Sequence, residues 1–410
     1  MSPVPADLAT LLPGKVIIPS DEAYSTLTGS YFAQQSRLHP ACYVLPTSAE
    51  DVSISVQKPA KTPDAAFAIR GGGRSWNPGA ANIDGGVTID MRNLNLVSVD
   101  EETSIVSIGG GACFGDVHAV LGPKGLAIVG GFLTGRGISM FSEERGFACD
   151  SVINMQVVLA SGAIVNANAT ENSELFIALK GGQSNFGVVT QFDVRSFAQG
   201  SFCGGVVQYP SSANDEQLAA YEAVMGAETR DPHVAVEQSF LFQSGSDEHE
   251  AAHEYSCNLV YYTKPVVDAP ALRPFTQIQP QEHSTMRLGA LEEITGELTR
   301  YQPADKCLNF VTTTFRLAPG AGMSSKILSI WRDYSKSPLR PTGRRPPKLA
   351  DLPASPAAIK HSNLRQQSRL PSRQPQRDSP RAASLSKLLV LAQAHVGHRA
   401  CGTGRDHRRQ

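Results

Sequence analysis

The residues best suited to do chemistry are Arg70-Gly-Gly-Gly-Arg74-Ser75, which stand between the apolar segments Phe67–Ile69 and Gly86–Met91. Three successive glycines carry no Cβ atom, so their backbone N–H groups can converge on one point and approach an anion closely. A pyrophosphate suits such a loop. A plain glycine-rich turn between two strands is the alternative interpretation of the same residues.

Two common nucleotide-binding signatures are missing from the sequence. No glycine cluster completes G-x-G-x-x-G, and nothing matches G-x-x-x-x-G-K-[ST]. The sequence therefore argues against a nicotinamide-binding Rossmann domain and against a P-loop NTPase.

The elements around the loop are predicted from caps, breakers and apolar runs. A helix begins near Thr47–Glu50, a capping-box spacing, and leads into the Phe67 strand. A second helix, Asp116–Leu121, ends at Gly122-Pro123. Further predictions are a hairpin of 152–159 and 163–166 joined across Ser161-Gly162, a helix 174–180 closed by Gly181, and a strand 185–194.

Ordered motifs over about 160 residues resemble the fungal FAD-linked oxidoreductases of the berberine-bridge-enzyme and vanillyl-alcohol-oxidase type. The motifs are Pro40–Asp51, Arg70–Asn77, Ala80–Asp90, Gly115–His118, Arg145–Asp150, Val158–Gly162, Leu179–Gly182 and Asn185–Thr190. The resemblance implies an α+β fold: a two-lobed FAD-binding domain of the PCMH type, then part of an antiparallel-sheet substrate domain. The expected boundaries are an N-terminal segment at 1–37, the FAD-binding domain at 38–200, a partial substrate domain at 201–335 and a disordered tail at 336–410.

The resemblance also implies the chemistry. Flavin N5 is expected to take a hydride from a sugar, alcohol or secondary-metabolite carbon, with molecular oxygen as acceptor, while the protein supplies position, a base and electrostatics. The partners implied are therefore FAD and a small-molecule substrate. The residues expected to bind the cofactor are Arg70, Gly71, Gly72, Gly73, Arg74, Ser75, Gly130, Gly131, Gly135, Gly137, Gly187 and Val188.

Arg74 departs from the family pattern. Relatives commonly have a histidine in this loop position, and its imidazole bonds to the flavin. A guanidinium stays protonated and offers no lone pair for such a bond, so FAD is expected to bind non-covalently. Arg74 can instead donate to a phosphate or to the electron-rich edge of the ring, or it can be a solvated loop cation.

A second departure is a shortened glycine segment. Relatives have a Val-Gly-Val-Gly-Gly segment before Leu-Thr-Gly-Gly-Gly-Ile-Ser, whereas this chain passes from Ala127–Gly131 straight to Phe132–Ser139. Roughly nine residues are absent by this resemblance, and Arg136 replaces a glycine. If the backbone at position 136 needs a positive φ, its side chain obstructs close approach to the cofactor.

No catalytic residue is nominated. The family takes its base from late in the substrate domain, but this chain has no tyrosine after Tyr334. Tyr261 and Tyr262 lie on a predicted strand, whose alternation turns only one of them inward, and ordinary sheet packing is the favoured interpretation for both.

The net charge of −1 conceals two unlike parts. From Lys336 onward the chain has 16 Lys and Arg against 3 Asp and Glu, nine of the 27 prolines and no aromatic residue. Such a segment cannot bury enough surface to offset its ordering entropy, so it is predicted to be disordered. It could be a nucleic-acid arm, a solvated tail or a frameshifted end, but scattered basic residues without aromatics disfavour nucleic acid.

The remaining sequence signals are weak. Seven widely spaced cysteines form no C-x-x-C pair, so we expect buried apolar residues and no metal site. No run reaches membrane-spanning length, and Met1–Asp7 lacks the features of a secretory signal, although relatives are often secreted. Two hypotheses follow: an FAD-dependent oxidoreductase, or a non-catalytic remnant of such a flavoprotein, degraded or wrongly spliced.

Overall fold

The computed structural model describes residues 3–227, 229–243, 253–301, 305, 309–310, 322–336 and 391–392. The predicted disordered tail therefore lies outside the described residues, apart from residue 336 and the strand Leu391–Ala392.

The first lobe is a four-stranded sheet with the strand order β1–β2–β4–β3. Its strands are β1 (Val16–Ile17), β2 (Cys42–Val44), β3 (Phe67–Arg70) and β4 (Val87–Asp90). The last three run parallel, and β1 pairs antiparallel with β2. All four residues of β4 are buried, as expected for a parallel strand covered on both faces.

Three helices pack on this sheet: α1 (Val4–Leu11), α2 (Glu22–Gly29) and α3 (Ala49–Ala60). Val4 and Leu8 of α1 share one core with Val52 and Val56 of α3. The predicted start of α3 is confirmed to within a residue. Ser48 is the N-cap, and its hydroxyl accepts a hydrogen bond from the amide of Asp51 at 3.2 Å.

The second lobe is a five-stranded antiparallel sheet with the order β5–β6–β10–β8–β9. Its strands are β5 (Val97–Asp100), β6 (Ile105–Gly109), β8 (Val152–Val158), β9 (Ile164–Asn168) and β10 (Val188–Arg195), and a separate pair joins β7 (Leu126–Ala127) to β11 (Phe197–Ala198). The predicted hairpin is confirmed as β8–β9. The predicted strand 185–194 begins only at Val188, because 183–185 form a short 3-10 turn.

The helices of the second lobe are α4 (Phe114–Leu121), α5 (Ser142–Arg145) and α6 (Ser173–Gly182). Gly181 leaves helical geometry with φ +117°, which confirms it as the stop signal of α6. The two lobes share a core, since Val158 and Val188 of the second lobe pack with Val44 and Ile89 of the first.

A third sheet follows, with the order β13–β14–β12–β15, and β16 also pairs with β12. Its strands are β12 (Phe202–Pro210), β13 (Val234–Gln243), β14 (His253–Tyr262), β15 (His283–Ser284) and β16 (Arg287–Gly289). Its helices are α7 (Asn214–Gly226), α8 (Arg273–Thr276), α9 (Leu291–Tyr301) and α10 (Met323–Lys336). The short strands β17 (Asn309–Phe310) and β18 (Leu391–Ala392) pair antiparallel.

Alternation divides the third sheet into two faces. Val207, Phe240 and Val260 point to one face and pack with Leu218 of α7 and Trp331 of α10. The other face is turned toward the second lobe, because Tyr261 shares the core of that lobe. The third sheet therefore covers the second lobe. Within the described ranges, no helix combines the length and apolarity needed to cross a membrane.

Candidate functional site

Four amide groups of the glycine loop, residues 70–75, donate no hydrogen bond to another described residue. None of the hydrogen bonds between described residues is donated by the backbone N–H of Gly71, Gly72, Gly73 or Ser75. The chain between β3 and β4 therefore presents four unpaired amides close together. Such a group of donors is a ready anion site, because backbone amides without a partner are costly unless water or a ligand satisfies them.

Arg70 holds the glycine loop in its conformation. Its guanidinium is 5% exposed and lies over the ring of Tyr31, 4.0 Å from the centroid. It donates to the carbonyl of Leu27 at 3.3 Å and to the hydroxyl and carbonyl of Ser30 at 2.9 and 3.0 Å. The fully buried Asp90 lies 3.4 Å away and balances its charge. Arg70 is thus fastened to α2 and β4, which makes it a positioning residue for the loop.

Gly73 is required by the same arrangement. Its φ is +69°, and a Cβ atom at this position would lie 2.7 Å from Nε of Arg70. Both the backbone conformation and the space exclude a larger residue. The sequence predicted a close approach at the three glycines, and at Gly73 the approaching group is the buried guanidinium.

The chain segment 32–36 fastens the loop on its carbonyl side. The carbonyl of Gly73 accepts from the amide of Phe32 at 3.4 Å, and the carbonyl of Ser75 accepts from the hydroxyl of Ser36 at 2.8 Å. Asp305 in turn forms an ion pair with Arg37 at 2.6 Å, and its amide donates to the carbonyl of Phe32. Sequence reasoning missed this segment, since no motif marks it.

The N-terminus of α4 lies directly beside the glycine loop. A Cβ atom on Gly72 would lie 3.1 Å from Sγ of Cys113, the residue that precedes α4. Asp116 caps this end by accepting from the amide of Cys113 at 3.1 Å, and its own amide donates to the carbonyl of Cys113 at 3.0 Å. Among the described bonds, the amides of Phe114 and Gly115 in the first turn have no acceptor. The positive end of the helix dipole therefore adds to the unpaired amides of the loop. Burial raises the pKa of the Cys113 thiol, which stays protonated at neutral pH.

A third segment, Val129–Gly131, completes this group. Val129 and Gly130 are buried, and in the described bonds no protein acceptor pairs with the amides of these three residues. A Cβ atom on Gly130 would lie 3.4 Å from the ring of Phe114 in the first turn of α4. The structure thus brings Gly130 to the same helix end as Gly72, two of the residues expected to bind the cofactor.

The shortened glycine segment closes on itself just beyond. A Cβ atom on Gly131 would lie 2.9 Å from Cα of Gly137, so residues 131–137 form a tight loop whose two ends are in contact. The carbonyls of Arg136 and Gly137 accept from the amides of Cys149 and Ala148 at 3.1 and 3.0 Å. Arg136 has φ +72° and ψ −45°, which meets the condition under which its side chain was expected to matter.

The Arg136 side chain lies against the C-terminal end of α6. Its Nε lies 3.2 Å from where Gly181 would carry a Cβ atom. Gly135 and Gly137 contact Phe132 and Ala148 in the same small loop, so both glycines are packed by their immediate surroundings. Gly135 and Gly137 therefore belong to a small loop that meets the unpaired amides at Gly131.

Gly187 and Val188 lie where β10 begins. Gly187 has φ +141°, and a Cβ atom there would lie 2.6 Å from Cγ1 of Val157. Val188 is 4% exposed, and its side chain lies in the core between the lobes. Contact between Val188 and a ligand is therefore restricted to its backbone. Val189 of the same strand lies against Gly110, three residues before Cys113 at the end of α4.

Arg74 is held at the edge of the loop. Its guanidinium lies 3.9 Å from the ring centroid of Phe32, which itself stacks on Trp76 with centroids 6.4 Å apart. A cation–π contact of this kind restrains the side chain. Arg74 is exposed, so it adds a positive charge next to the unpaired amides while its side chain remains in contact with solvent.

The two tyrosines considered as a base point in opposite directions, as alternation requires. Tyr261 is 5% exposed, and burial raises its pKa far above the ordinary value. Tyr262 is half-buried on the other face, and its hydroxyl donates to Asp231 at 3.0 Å. A phenol in the environment of Tyr261 resists ionisation, so packing explains it better than catalysis. Within the part of the chain that the structure describes, no cluster of His, Cys, Asp and Glu is arranged to hold a metal.

Comparison with known proteins identifies the region that carries these amides. Residues 40–168 match the model of the FAD binding domain family. This range contains the glycine loop, the N-terminus of α4 and the Val129–Gly131 segment. Residues 40–168 are an FAD-binding domain. The resemblance drawn from the motifs is confirmed for this region.

Three fungal proteins described as FAD-dependent monooxygenases are similar to the chain. That of Aspergillus calidoustus is 36% identical over 314 residues, covering 74% of this chain and 59% of its own length. That of Emericella nidulans is 36% identical, covering 65% and 57%, and that of Cercospora beticola is 35% identical, covering 64% and 52%. The chain thus spans between half and three fifths of the length of these relatives.

Solved structures show the fold at lower identity. The 6-hydroxy-D-nicotine oxidase of Arthrobacter nicotinovorans aligns with a TM-score of 0.65 and 21% identity, over 78% of this chain and 71% of that one. A variant of berberine bridge enzyme aligns with a TM-score of 0.64 and 17% identity, over 77% and 69%. The predicted α+β fold, with an FAD-binding domain and an antiparallel sheet, is therefore confirmed.

The residues present fit the diphosphate of FAD. Seven unpaired amides, the end of α4 and Arg74 form a donor-rich group, in which the carboxylate of Asp116 is bonded to the amide of Cys113. The dinucleotide is an anion that needs such donors. No residue of the FAD-binding domain identified by sequence reasoning is excluded by this geometry, but Gly135 and Gly137 act within their own small loop.

Proposed function

We propose that this protein is an FAD-dependent oxidoreductase that binds its flavin non-covalently. The observation that carries the proposal is the set of unpaired amides in the glycine loop, which lies inside the FAD-binding domain. In this proposal residues 38–200 bind the cofactor and residues 201–335 bind the substrate. FAD, when bound, supplies the capacity to accept a hydride at N5.

The chain's own residues act by binding and orientation. The amides of the glycine loop and the first turn of α4 bind the diphosphate, and the guanidinium of Arg74 offsets its charge. The amides of Val129–Gly131, at the same end of α4, would add further donors for the cofactor. Arg70 and Gly73 hold the loop in the conformation that makes this possible.

We further propose that the substrate is a small molecule with an oxidisable C–H bond, in a sugar, an alcohol or a secondary metabolite, and that oxygen is the acceptor. The names of the relatives support this, since they include monooxygenases and the xylooligosaccharide oxidase of Myceliophthora thermophila, which aligns with a TM-score of 0.60. The substrate would lie between the FAD-binding domain and the third sheet.

A second candidate function is that of a flavoprotein that binds FAD without turnover. Two observations favour it: the glycine segment closes on itself at Gly131–Gly137, and Tyr261 is buried as a packing residue. A chain that keeps the diphosphate site but lacks a base would bind the cofactor and leave the substrate unreacted.

Anaerobic reduction separates the two candidates. Purified protein saturated with FAD is mixed with candidate sugars, alcohols and phenolic metabolites, and the absorbance of the oxidised flavin is followed before and after air is admitted. The oxidoreductase proposal expects bleaching by at least one substrate and recovery in air. Stable colour with every substrate, while dithionite still bleaches the flavin, supports the non-catalytic alternative.

A further inference from the structure

The third sheet buries a group of carboxamide side chains on the face turned toward α7 and α10. Gln238 of β13 and Asn258 of β14 are directly opposite in the antiparallel register and therefore share this face. Gln217 of α7 is bonded to Asn258. All three side chains are fully buried, at 0% exposure. Apolar residues such as Val207 and Phe240 surround them.

The bonds within this carboxamide cluster satisfy only part of it. Oε1 of Gln217 accepts from the hydroxyl of Ser256 at 2.9 Å and from Nδ2 of Asn258 at 2.8 Å. Among the described residues, no partner exists for Nε2 of Gln217, for Oδ1 of Asn258, or for either Nε2 or Oε1 of Gln238. A buried amide without partners is strongly unfavourable, so these four atoms require hydrogen bonds from another source.

The chemistry of the cluster specifies that source. Two of the four atoms are donors and two are acceptors, and the cluster itself contains no charged side chain. The Glu254–Arg332 ion pair is bonded to Asn214, one turn before Gln217 on α7, so its charges compensate each other. An ion gains little from such surroundings, whereas a small neutral molecule that both donates and accepts gains several bonds.

We propose that the carboxamide cluster is a binding site for internal water. A buried water typically makes about three hydrogen bonds, so about two molecules satisfy the four atoms and bridge Gln238 to Gln217 and Asn258. The waters join β13 to α7 through a polar network beneath the sheet, on the side away from the FAD-binding domain. This site is independent of the proposed function.

A crystal structure of the full chain tests the proposal directly, with crystals grown and frozen without polyols. We expect ordered density of water size within hydrogen-bond distance of both amide atoms of Gln238. Dry amides, or density larger than water, would overturn the proposal.

Thermal unfolding of Gln238→Met provides a second test, because methionine has nearly the same shape and no polar group. If water satisfies the amide, the substitution removes partners from the network and lowers the melting temperature by about 2–6 °C. Gln208→Met, on the opposite face of the same sheet, is the matched control and shifts it by about 1 °C or less. An increase in the melting temperature for Gln238→Met means that the amide was buried dry and refutes the site.

Discussion

Gly73→Ala is the substitution that tests most sharply how the glycine loop is built. It places a Cβ atom 2.7 Å from Nε of Arg70 and 2.8 Å from Nη2, in a backbone conformation with φ +69°. Gly79→Ala is a matched control, since Gly79 has φ +85° and nothing within 4 Å of the added atom. The two variants therefore share the conformational penalty and differ in the clash.

The magnitudes follow from these contacts. The left-handed backbone costs an alanine about 1–2 kcal/mol, and this is the whole loss expected for Gly79→Ala. At Gly73 the guanidinium must also move away from Ser30 and Asp90, which disturbs a buried charge network worth about 3–5 kcal/mol when one partner is lost. Allowing for partial relaxation, we expect Gly73→Ala to lower the free energy of unfolding by about 4 kcal/mol.

Chemical denaturation and FAD titration measure the two consequences. Gly73→Ala should unfold at lower denaturant concentration than Gly79→Ala and bind FAD at least about tenfold more weakly, because the amides no longer converge. Equal losses in the two variants would refute the inference that Arg70 packs against Gly73. Unchanged FAD affinity in a folded Gly73→Ala protein would refute the role of the loop amides.

Three further predictions concern single side chains. Arg74→Ala should weaken FAD binding by about 3–10-fold in a fluorescence titration with little change in stability, since the stacking on Phe32 is worth only about 0.5–1 kcal/mol; an unchanged affinity would mean that the guanidinium does not face the cofactor. Arg136→Gly should raise the free energy of unfolding, measured by urea denaturation, by about 1 kcal/mol, because glycine adopts φ +72° without strain. A loss of stability would instead show that the Arg136 side chain stabilises the C-terminal end of α6. Burial lowers the pKa of His118, whose Nδ1 lies 3.0 Å from Oγ1 of Thr295. The stability contributed by the neutral imidazole should therefore be complete above the unfolded pKa of about 6.5 and fall as the pH drops toward the folded pKa. His118→Gln should flatten this pH dependence in melting curves, and a pH profile identical to that of the unchanged protein would contradict it.

The sequence located the glycine loop correctly because its signal is local. Three glycines between two apolar runs specify a turn with exposed backbone, and the structure has the loop between β3 and β4. The hairpin at Ser161-Gly162 and the end of α6 at Gly181 were predicted for the same reason. Each depends on a residue whose backbone preference acts at its own position.

Contacts between distant residues could not be predicted in this way. Nothing in the sequence indicates that the guanidinium of Arg70 is bonded to Leu27 and Ser30, about 40 residues earlier. The sequence placed the start of a helix at Asp116, whereas α4 begins at Phe114. Asp116 is the third helical residue and caps the amide of Cys113, so the acidic signal marks the first turn and not its first residue.

The shortened glycine segment shows both limits. The sequence predicted that the Arg136 side chain obstructs close approach to the cofactor if its φ is positive. Only the structure shows that this φ is +72°. Where the side chain then points depends on the packing of α6, since it lies against Gly181. Local sequence rules therefore identified Arg136 as an unusual residue, but its backbone conformation and side-chain position depend on tertiary packing.

In the proposed function, the loop amides bind the diphosphate of a flavin that is not covalently attached. The absorbance spectrum of the purified protein, recorded with added FAD and again after denaturation and removal of the polypeptide, tests it most directly. We predict a yellow protein whose flavin is recovered entirely in the soluble fraction. A colourless protein that takes up no FAD would contradict the claim, and flavin that stays on the denatured chain would contradict its non-covalent part.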